Sequence, residues 1–503
     1  MTRIRFEGFG TGIAPSQLSF ESTPRNASTV IEDARPRKPK VGEQIFLISR
    51  RSIEFRKIHP KIGDFRTIFR SALLTLIRGG RSVRAFSYVK ADPMSALDWS
   101  HVFATRSERM RASEIRELLK LLDQPDIISF AGGIPDPALF PVAAIREAQD
   151  AILSDPKTAA QALQYSISEG YVPLRQWIVD FMAKNGVPCT LDNVLITCGS
   201  QQGLDFLAKM LLTPGDTALV EAPTYLGALQ AFNAYEPRYD RLMLEGGNVT
   251  PAAYATAAAA NGGRVKFAYC VPDFANPTGI TMSVENRRKL LALAADLEIP
   301  VIEDSAYQAL RFEGEGVPSI LALDCAANGG DIEKTRTVYC GTFSKTLVPA
   351  LRIGWIVAAQ PLIQKLVLTK QAGDLHSSTL NQMVMARVAE TTYDANVERA
   401  IALYRGRRDA MMAALATSMP KGVEWTKPEG GLFVWVTLPV GLDGADLLAR
   451  AIAEERIAFV PGSAFFAVDA MTNTIRLNFS SPNEAEIAEG IARLGRLIAR
   501  SMA

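Results

Sequence analysis

The chain has 503 residues, of which 48% are hydrophobic, 8% aromatic and 21% charged, the profile of a globular protein rather than a disordered, fibrous or disulfide-rich one. Its 55 basic and 53 acidic residues leave a net charge of +2, so whole-molecule attraction to nucleic acid or to a membrane surface is not expected. Five cysteines, an odd number and widely spaced, suggest neither a disulfide framework nor a zinc cluster, and a stock of three histidines argues against a His-based metal site or a Ser-His-Asp triad; no metal is expected, and catalysis must rest on other groups.

Residues 1–93 carry 18 Lys or Arg against 8 Asp or Glu, leaving 37 basic and 45 acidic residues in the mildly acidic remainder. Weak periodicity and turn-rich pieces such as Thr23 to Asn26 and Pro36 to Lys40 predict a mostly disordered basic extension, and its eight acidic residues argue against an organelle transit peptide. The change of pattern at Met94 fits a natural start there as readily as a genuine extension. Residues 94–165 follow, with helical spacing over Ala112 to Leu122 and a short strand at Ile127 to Phe130 that runs into the loop Ala131 to Pro137.

Strands and helices then alternate: Val194 to Cys198, a helix from Gln201 to Leu212, Thr217 to Glu221, Val265 to Val271, a helix from Val284 to Leu297, Val301 to Glu303, Thr337 to Cys340 and Ile353 to Ala358. Short apolar strands between amphipathic helices predict an α/β domain over 166–385 with a mostly parallel sheet covered on both faces. A long helical stretch from Leu380 to Ser418 leads into a smaller α+β domain over 386–503, with strands around Gly431 to Val436, Ala458 to Val460 and Thr474 to Phe479 and helices at Ala445 to Glu454 and Glu484 to Ser501. No apolar stretch approaches the roughly 20 residues of a membrane helix, so a soluble, cytoplasmic protein is expected.

The chemistry-bearing segments sit at strand ends. After Thr337 to Cys340 comes Gly341-Thr342-Phe343-Ser344-Lys345, with Arg352 seven positions on: a lysine able to form a Schiff base, beside hydroxyls and a cation suited to a phosphate. Asp304 closes an apolar strand, where a buried carboxylate needs a cationic partner such as a protonated pyridine nitrogen. Pro272 to Gly279 is a constrained loop presenting Asn276. The turn Thr197 to Gly203 joins a strand to a helix and offers backbone N–H groups at Ser200 and Gln201 to a phosphate, and Tyr225, following the next strand, supplies a ring for stacking on a flat ligand.

These ordered segments resemble the pyridoxal-phosphate-dependent aminotransferases of fold type I, in the class I/II branch that includes 2-aminoadipate and kynurenine aminotransferases; the resemblance spans about residues 94–503. It implies that Lys345 is the Schiff-base lysine and proton shuttle, that Asp304 pairs with the pyridinium nitrogen, that Asn276 and Tyr307 contact the ring's phenolic oxygen, and that Tyr225 stacks on the ring. Ser200, Gln201, Thr342, Ser344 and Arg352 would surround the phosphate, with Tyr165 reaching it from a partner subunit, so the active unit would be a homodimer. Arg476 would grip the substrate α-carboxylate as a fork, and the loop around Gly132, Gly133 and Pro135 would close over the substrate. The resemblance implies a ping-pong transfer from a 2-aminoadipate-like, aromatic or branched L-amino acid to a 2-oxo acid, with 2-oxoglutarate as the expected acceptor. A lyase or decarboxylase shares the cofactor residues and is the alternative; a transcription regulator carrying the same fold is disfavoured, because residues 1–93 lack a three-helix pattern.

Overall fold

The computed structural model describes residues 48–49, 52–53, 97–110, 126–244 and 250–502. Apart from residues 48–49 and 52–53, the N-terminal extension expected to be disordered lies outside the described residues, as does the expected helix at Ala112 to Leu122. Ile48–Ser49 and Ser52–Ile53 form a small antiparallel pair in the unit Met1–Ala96. Leu97–Ala503 clusters as a second, compact unit, which carries every segment singled out for its chemistry.

A short strand, β1 (Ile128–Ser129), precedes the sheet. The sheet itself contains β2 (Val194–Thr197), β3 (Thr217–Val220), β4 (Arg238–Arg241), β5 (Val265–Cys270), β6 (Val301–Asp304), β7 (Thr337–Thr342) and β8 (Gly354–Val357). The strand order is β2-β8-β7-β6-β5-β3-β4. Strands β4, β3, β5, β6 and β7 run parallel, and β8 is antiparallel to both of its neighbours. Every residue of β2, β3, β6, β7 and β8 is buried, which is why these strands read as short continuous apolar runs rather than as alternations. Strand β4, Arg-Tyr-Asp-Arg on an edge, exposes both arginines and therefore carried no apolar signal.

The smaller lobe is a four-stranded antiparallel sheet of β9 (Glu424–Trp425), β10 (Phe433–Thr437), β12 (Val460–Pro461) and β13 (Thr474–Asn478), in the order β9-β10-β13-β12. Between β10 and β12 in sequence lies β11 (Ile457–Ala458), which pairs in parallel with β1. That pairing ties the loop after Phe130 to the C-terminal lobe. One helix of 40 residues, α1 (Thr379–Ser418), runs unbroken through position 386, so the expected division at 385/386 falls within a helix that both lobes share. It packs against the C-terminal helix α2 (Glu484–Met502). No helix among the described residues is long and apolar enough to cross a membrane.

Register decides where the chemistry converges. Gly354 lies opposite both Thr197 and Thr342, which brings the turn after β2, the Ser344–Lys345 loop after β7 and Arg352 before β8 to one edge of the sheet. The carboxyl ends of the parallel strands β3, β5, β6 and β7 meet there too, the edge at which open α/β sheets bind ligands. A Cβ on Gly354 would lie 2.5 Å from both the Gly199 carbonyl carbon and the Ser200 amide nitrogen. Gly354→Ala should therefore displace that turn and cost about 1–3 kcal/mol, read as a lower denaturant midpoint; an unchanged midpoint would show that the close approach is not needed.

Candidate active site

A cavity of about 510 Å³ opens at this sheet edge. Of the fifteen residues singled out from the sequence, thirteen line it: Gly132, Gly133, Ser200, Gln201, Tyr225, Asn276, Asp304, Tyr307, Thr342, Ser344, Lys345, Arg352 and Arg476. Pro135 does not line it, and neither does Tyr165. Tyr165 is 79% exposed and makes an edge contact with His376.

One end of the cavity is a ring of donors. A helix, Ser200–Leu211, begins immediately after Gly199, so its opening N–H groups have no preceding turn to donate to and its dipole points positive end outward. Gly199 adopts φ +72°, and a Cβ there would lie 2.3 Å from Arg352 Nη2; glycine lets the guanidinium rest on the turn. Arg352, itself at φ +56°, is held by the Pro349 carbonyl at 3.2 Å and the Cys198 carbonyl at 3.4 Å. Across from it, the Ser344 N–H donates to Thr342 Oγ1 at 3.1 Å, and the two hydroxyls lie 2.9 Å apart. The Gln201 side chain serves another purpose: its Nε2 donates to the Gly227 carbonyl at 2.6 Å, fastening the segment that carries Tyr225. The Tyr225 ring folds over its own helix start, where a Cβ on Gly227 would lie 2.4 Å from its Cζ.

The floor holds Asp304. Its Oδ2 accepts from the Tyr269 hydroxyl at 2.9 Å, while Oδ1 is buried with no partner. Burial pushes its carboxyl up to about 6, against the lowering effects of Tyr269 and of the Lys345 charge. Lys345 Nζ donates to the Gly133 carbonyl at 2.7 Å. Burial, followed by the nearby Arg476 and Arg352 cations, brings its ammonium down to about 8.

The far wall is Arg476, on the central strand β13 and 1% exposed. Its Nη1 donates to Asn276 Oδ1 at 2.9 Å, and its Nη2 donates to the carbonyls of Ala131 at 2.7 Å and Gly132 at 2.9 Å. The guanidinium lies 4.3 Å from the Phe433 ring centroid and 5.0 Å from that of Phe465, and its Nε has no partner. Burial lowers its pKa to about 10, which leaves it charged at neutral pH. Three consecutive carbonyls, 131 to 133, thus satisfy both the guanidinium and the lysine. This loop is held in place by the Phe130 N–H on the Ala458 carbonyl at 2.7 Å and by Ser480 Oγ on the Ile134 carbonyl at 2.7 Å.

The surrounding frame is stiff. Arg287 is fully buried and donates to the carbonyls of Met282, Pro318 and Pro272 and to Asp273 Oδ1, which pins both ends of the loop presenting Asn276. Phe343, beside Ser344, sits among Trp177, Trp355 and Tyr393. Glu303, next to Asp304, points the other way and accepts from the N–H groups of Ile320 and Leu321, both at 2.9 Å, capping a helix start. Tyr269, Gln230, Phe433 and Ile134, the last named only as part of its loop, are site residues that the sequence reading did not single out. Tyr269 pairs with Ile302 in the sheet, and only that register reveals it as the diagonal neighbour of Asp304; Gln230 and Phe433 have no motif of their own.

The family model "Aminotransferase class I and II" matches residues 125–494. The chain is 44% identical over 411 residues to aromatic-amino-acid aminotransferase 1 of Thermococcus litoralis, covering 81% of this chain and 96% of the relative. Among solved structures, it is similar to a kynurenine aminotransferase of Pyrococcus horikoshii in complex with PMP, KYN as substrates and KYA as products, at TM-score 0.74 and 43% identity over 81% of this chain and 99% of the other. It is likewise similar to an alpha-aminoadipate aminotransferase of Thermus thermophilus complexed with N-(5'-phosphopyridoxyl)-L-leucine, at TM-score 0.71 and 40% identity over 81% and 99% of the two chains. With the fold, the lysine-centred cavity and these relatives in agreement, the chain belongs to the class I and II aminotransferases, the pyridoxal-phosphate-dependent transferases of fold type I.

Proposed function

We propose that the protein moves an amino group from an aromatic, branched or 2-aminoadipate-like L-amino acid to a 2-oxo acid, with 2-oxoglutarate as acceptor, in two half-reactions on pyridoxal phosphate. The observation that carries this reading is the convergence of Lys345, Asp304 and Arg476 on one cavity. The names of the relatives, which cover aromatic, kynurenine and 2-aminoadipate transamination, support the choice of donor class.

The residues present fit the cofactor on three counts. Asp304 Oδ1 is a buried acceptor without a partner, as a protonated ring nitrogen requires. The Gly199 turn, Ser344 and Arg352 offer the several charge-assisted donors that a phosphate dianion needs. Lys345 carries an amine whose pKa lies low enough to supply the neutral nucleophile near neutrality. When bound, the cofactor supplies the electron sink that lets a Cα proton leave.

The protein's own part is then to hold and move a proton. Arg476 binds the α-carboxylate as a planar fork, which fixes the amino acid's orientation and leaves Cα facing Lys345. Lys345, as a free amine, would take the Cα proton and return it at C4′ of the cofactor. Asn276 and Tyr307 would hold the ring's phenolic oxygen, and Tyr225 would cover one ring face. The carbonyls of Ala131 to Gly133 now on Arg476 and Lys345 give way as a carboxylate arrives, so the Gly132–Pro135 loop closes over the substrate. The exposed Tyr165, away from the cavity of its own chain, supports a homodimer in which it reaches the phosphate site of the partner. Five free thiols suit a reducing, cytoplasmic setting.

Stepwise addition tests the function. An amino acid alone should yield one equivalent of its 2-oxo acid per site, and 2-oxoglutarate should then take the amino group off as glutamate; release of carbon dioxide or ammonia instead would favour the decarboxylase or lyase alternative. Lys345→Ala should lower turnover by at least about 10²–10⁴-fold, the range of a lost general acid–base, and activity near wild type would remove it from the mechanism. Uptake of pyridoxal phosphate by the apoprotein should accelerate with pH and level off above about 8, because the amine reacts only when neutral; acceleration continuing to the 10.5 of an ordinary lysine would contradict the assignment. Arg476→Ala should reduce kcat/KM by a similar factor for every α-carboxylate donor, equivalent to about 2–5 kcal/mol, whereas a loss confined to one donor would reassign Arg476 to side-chain recognition.

A further inference from the structure

Asp304 does not stand alone at the cavity floor. Tyr269 and Ile302 are register partners on β5 and β6, so Tyr269 and Asp304, two residues beyond Ile302, project from the same face of the sheet as diagonal neighbours. The Tyr269 hydroxyl reaches Asp304 Oδ2 at 2.9 Å. Tyr269 is wholly buried and Asp304 is 3% exposed. The ring of Tyr269 is wedged edge-on against Phe232, with centroids 5.4 Å apart and planes at 83°, so the hydroxyl has a fixed direction. The other carboxylate oxygen is left without a partner in a residue that lines the cavity.

We propose that Tyr269 is a positioning residue for Asp304: its hydrogen bond occupies Oδ2, turns Oδ1 to the cofactor's ring nitrogen and holds the carboxylate ionised opposite a protonated ring. This rests on the reading of Asp304 as the partner of that nitrogen. A buried carboxylate facing a pyridinium can exist as an ion pair or as a neutral acid beside a neutral pyridine, and low dielectric favours the neutral form. A phenol that donates to the carboxylate stabilises the ionised form more than the neutral acid, because the charge-assisted hydrogen bond is the stronger one, so it biases the shared proton toward the ring. Tyr269 is fit for this duty because burial, with Asp304, Tyr225 and Glu221 nearby, pushes its phenol well above the usual range; it keeps its proton and can act only as a donor to the carboxylate. The charge it preserves on the ring is what draws electrons from Cα, so its effect should fall on the chemical step rather than on substrate binding.

The test uses holoenzyme loaded with pyridoxal phosphate labelled with 15N in the ring. Wild type should show the protonated 15N position and Asp304→Asn the unprotonated one. Tyr269→Phe should retain a full complement of cofactor, move the 15N signal toward the unprotonated position, and lower kcat about ten- to a hundredfold, the rate equivalent of one hydrogen bond to a charged group, with KM changed less than about threefold. In the Asp304→Asn background the same substitution should add almost nothing. Tyr269→Met, an apolar chain that adapts to the same space, repeats the comparison if the phenylalanine variant fails to fold. A Tyr269 variant with wild-type 15N position would overturn the proposal, whether or not its activity falls, since a lower rate alone would mark a merely structural role; so would additive effects of the two substitutions. If wild type itself is unprotonated and Asp304→Asn leaves the signal in place, it is the reading of Asp304 that fails.

Discussion

Everything in the cavity follows from the burial of a guanidinium without a carboxylate beside it. Arg476 is 1% exposed, and removing such a charge from water costs several kcal/mol unless other groups replace the hydration. Here the replacements are two backbone carbonyls, an amide oxygen and two aromatic faces. They satisfy the cation without neutralising it. Lys345, held by a third carbonyl of the same loop, is in the same position. The cavity is therefore short of negative charge, and an amino acid carboxylate together with a phosphate is the complement it lacks.

Holding that imbalance takes a rigid surround. Strand β8, reversed between β2 and β7, lets Gly354 meet the Gly199 turn at contact distance and thereby collects the anion-binding groups at one point. The Trp177, Phe343, Trp355 and Tyr393 cluster anchors the loop carrying Ser344 and Lys345, while Arg287 rivets the loop carrying Asn276. In contrast, the Ala131–Gly133 segment meets Arg476 and Lys345 only through carbonyls. Those contacts are of the kind a substrate's carboxylate oxygens can replace, and the segment that makes them faces the cavity.

Much of this was legible in the sequence because the chemistry sits in short contiguous motifs at strand ends. Apolar runs such as Val301 to Glu303 announced the strands, and Asp304 at the end of one and Lys345 a few residues past another pointed to the edge where the cavity lies. What stayed hidden was whatever depends on register or on distance in the chain. Tyr269 reads as one more aromatic in a buried strand until its pairing with Ile302 sets it diagonal to Asp304. Strand β4 was missed because an edge strand with exposed arginines lacks the apolar signature. Gln230 and Phe433 line the cavity from segments whose local sequence has no chemical motif, whereas Ile134 sits within the loop expected to cover the substrate. Lys370 shows the reverse: a second buried lysine, bound to Asp374, Gln202 and Ser377, is a structural ion-pair residue, and its context lacks the strand-end motif on which the Schiff-base role is proposed for Lys345.

The most direct measurement is borohydride reduction of the holoenzyme followed by peptide mass mapping, with and without prior exposure to an L-amino acid. A phosphopyridoxyl group on the peptide containing Lys345, present at one per chain and lost after amino donor is added, is the predicted result. An adduct on another lysine such as Lys370, or one on Lys345 that persists unchanged in saturating donor, would contradict the account.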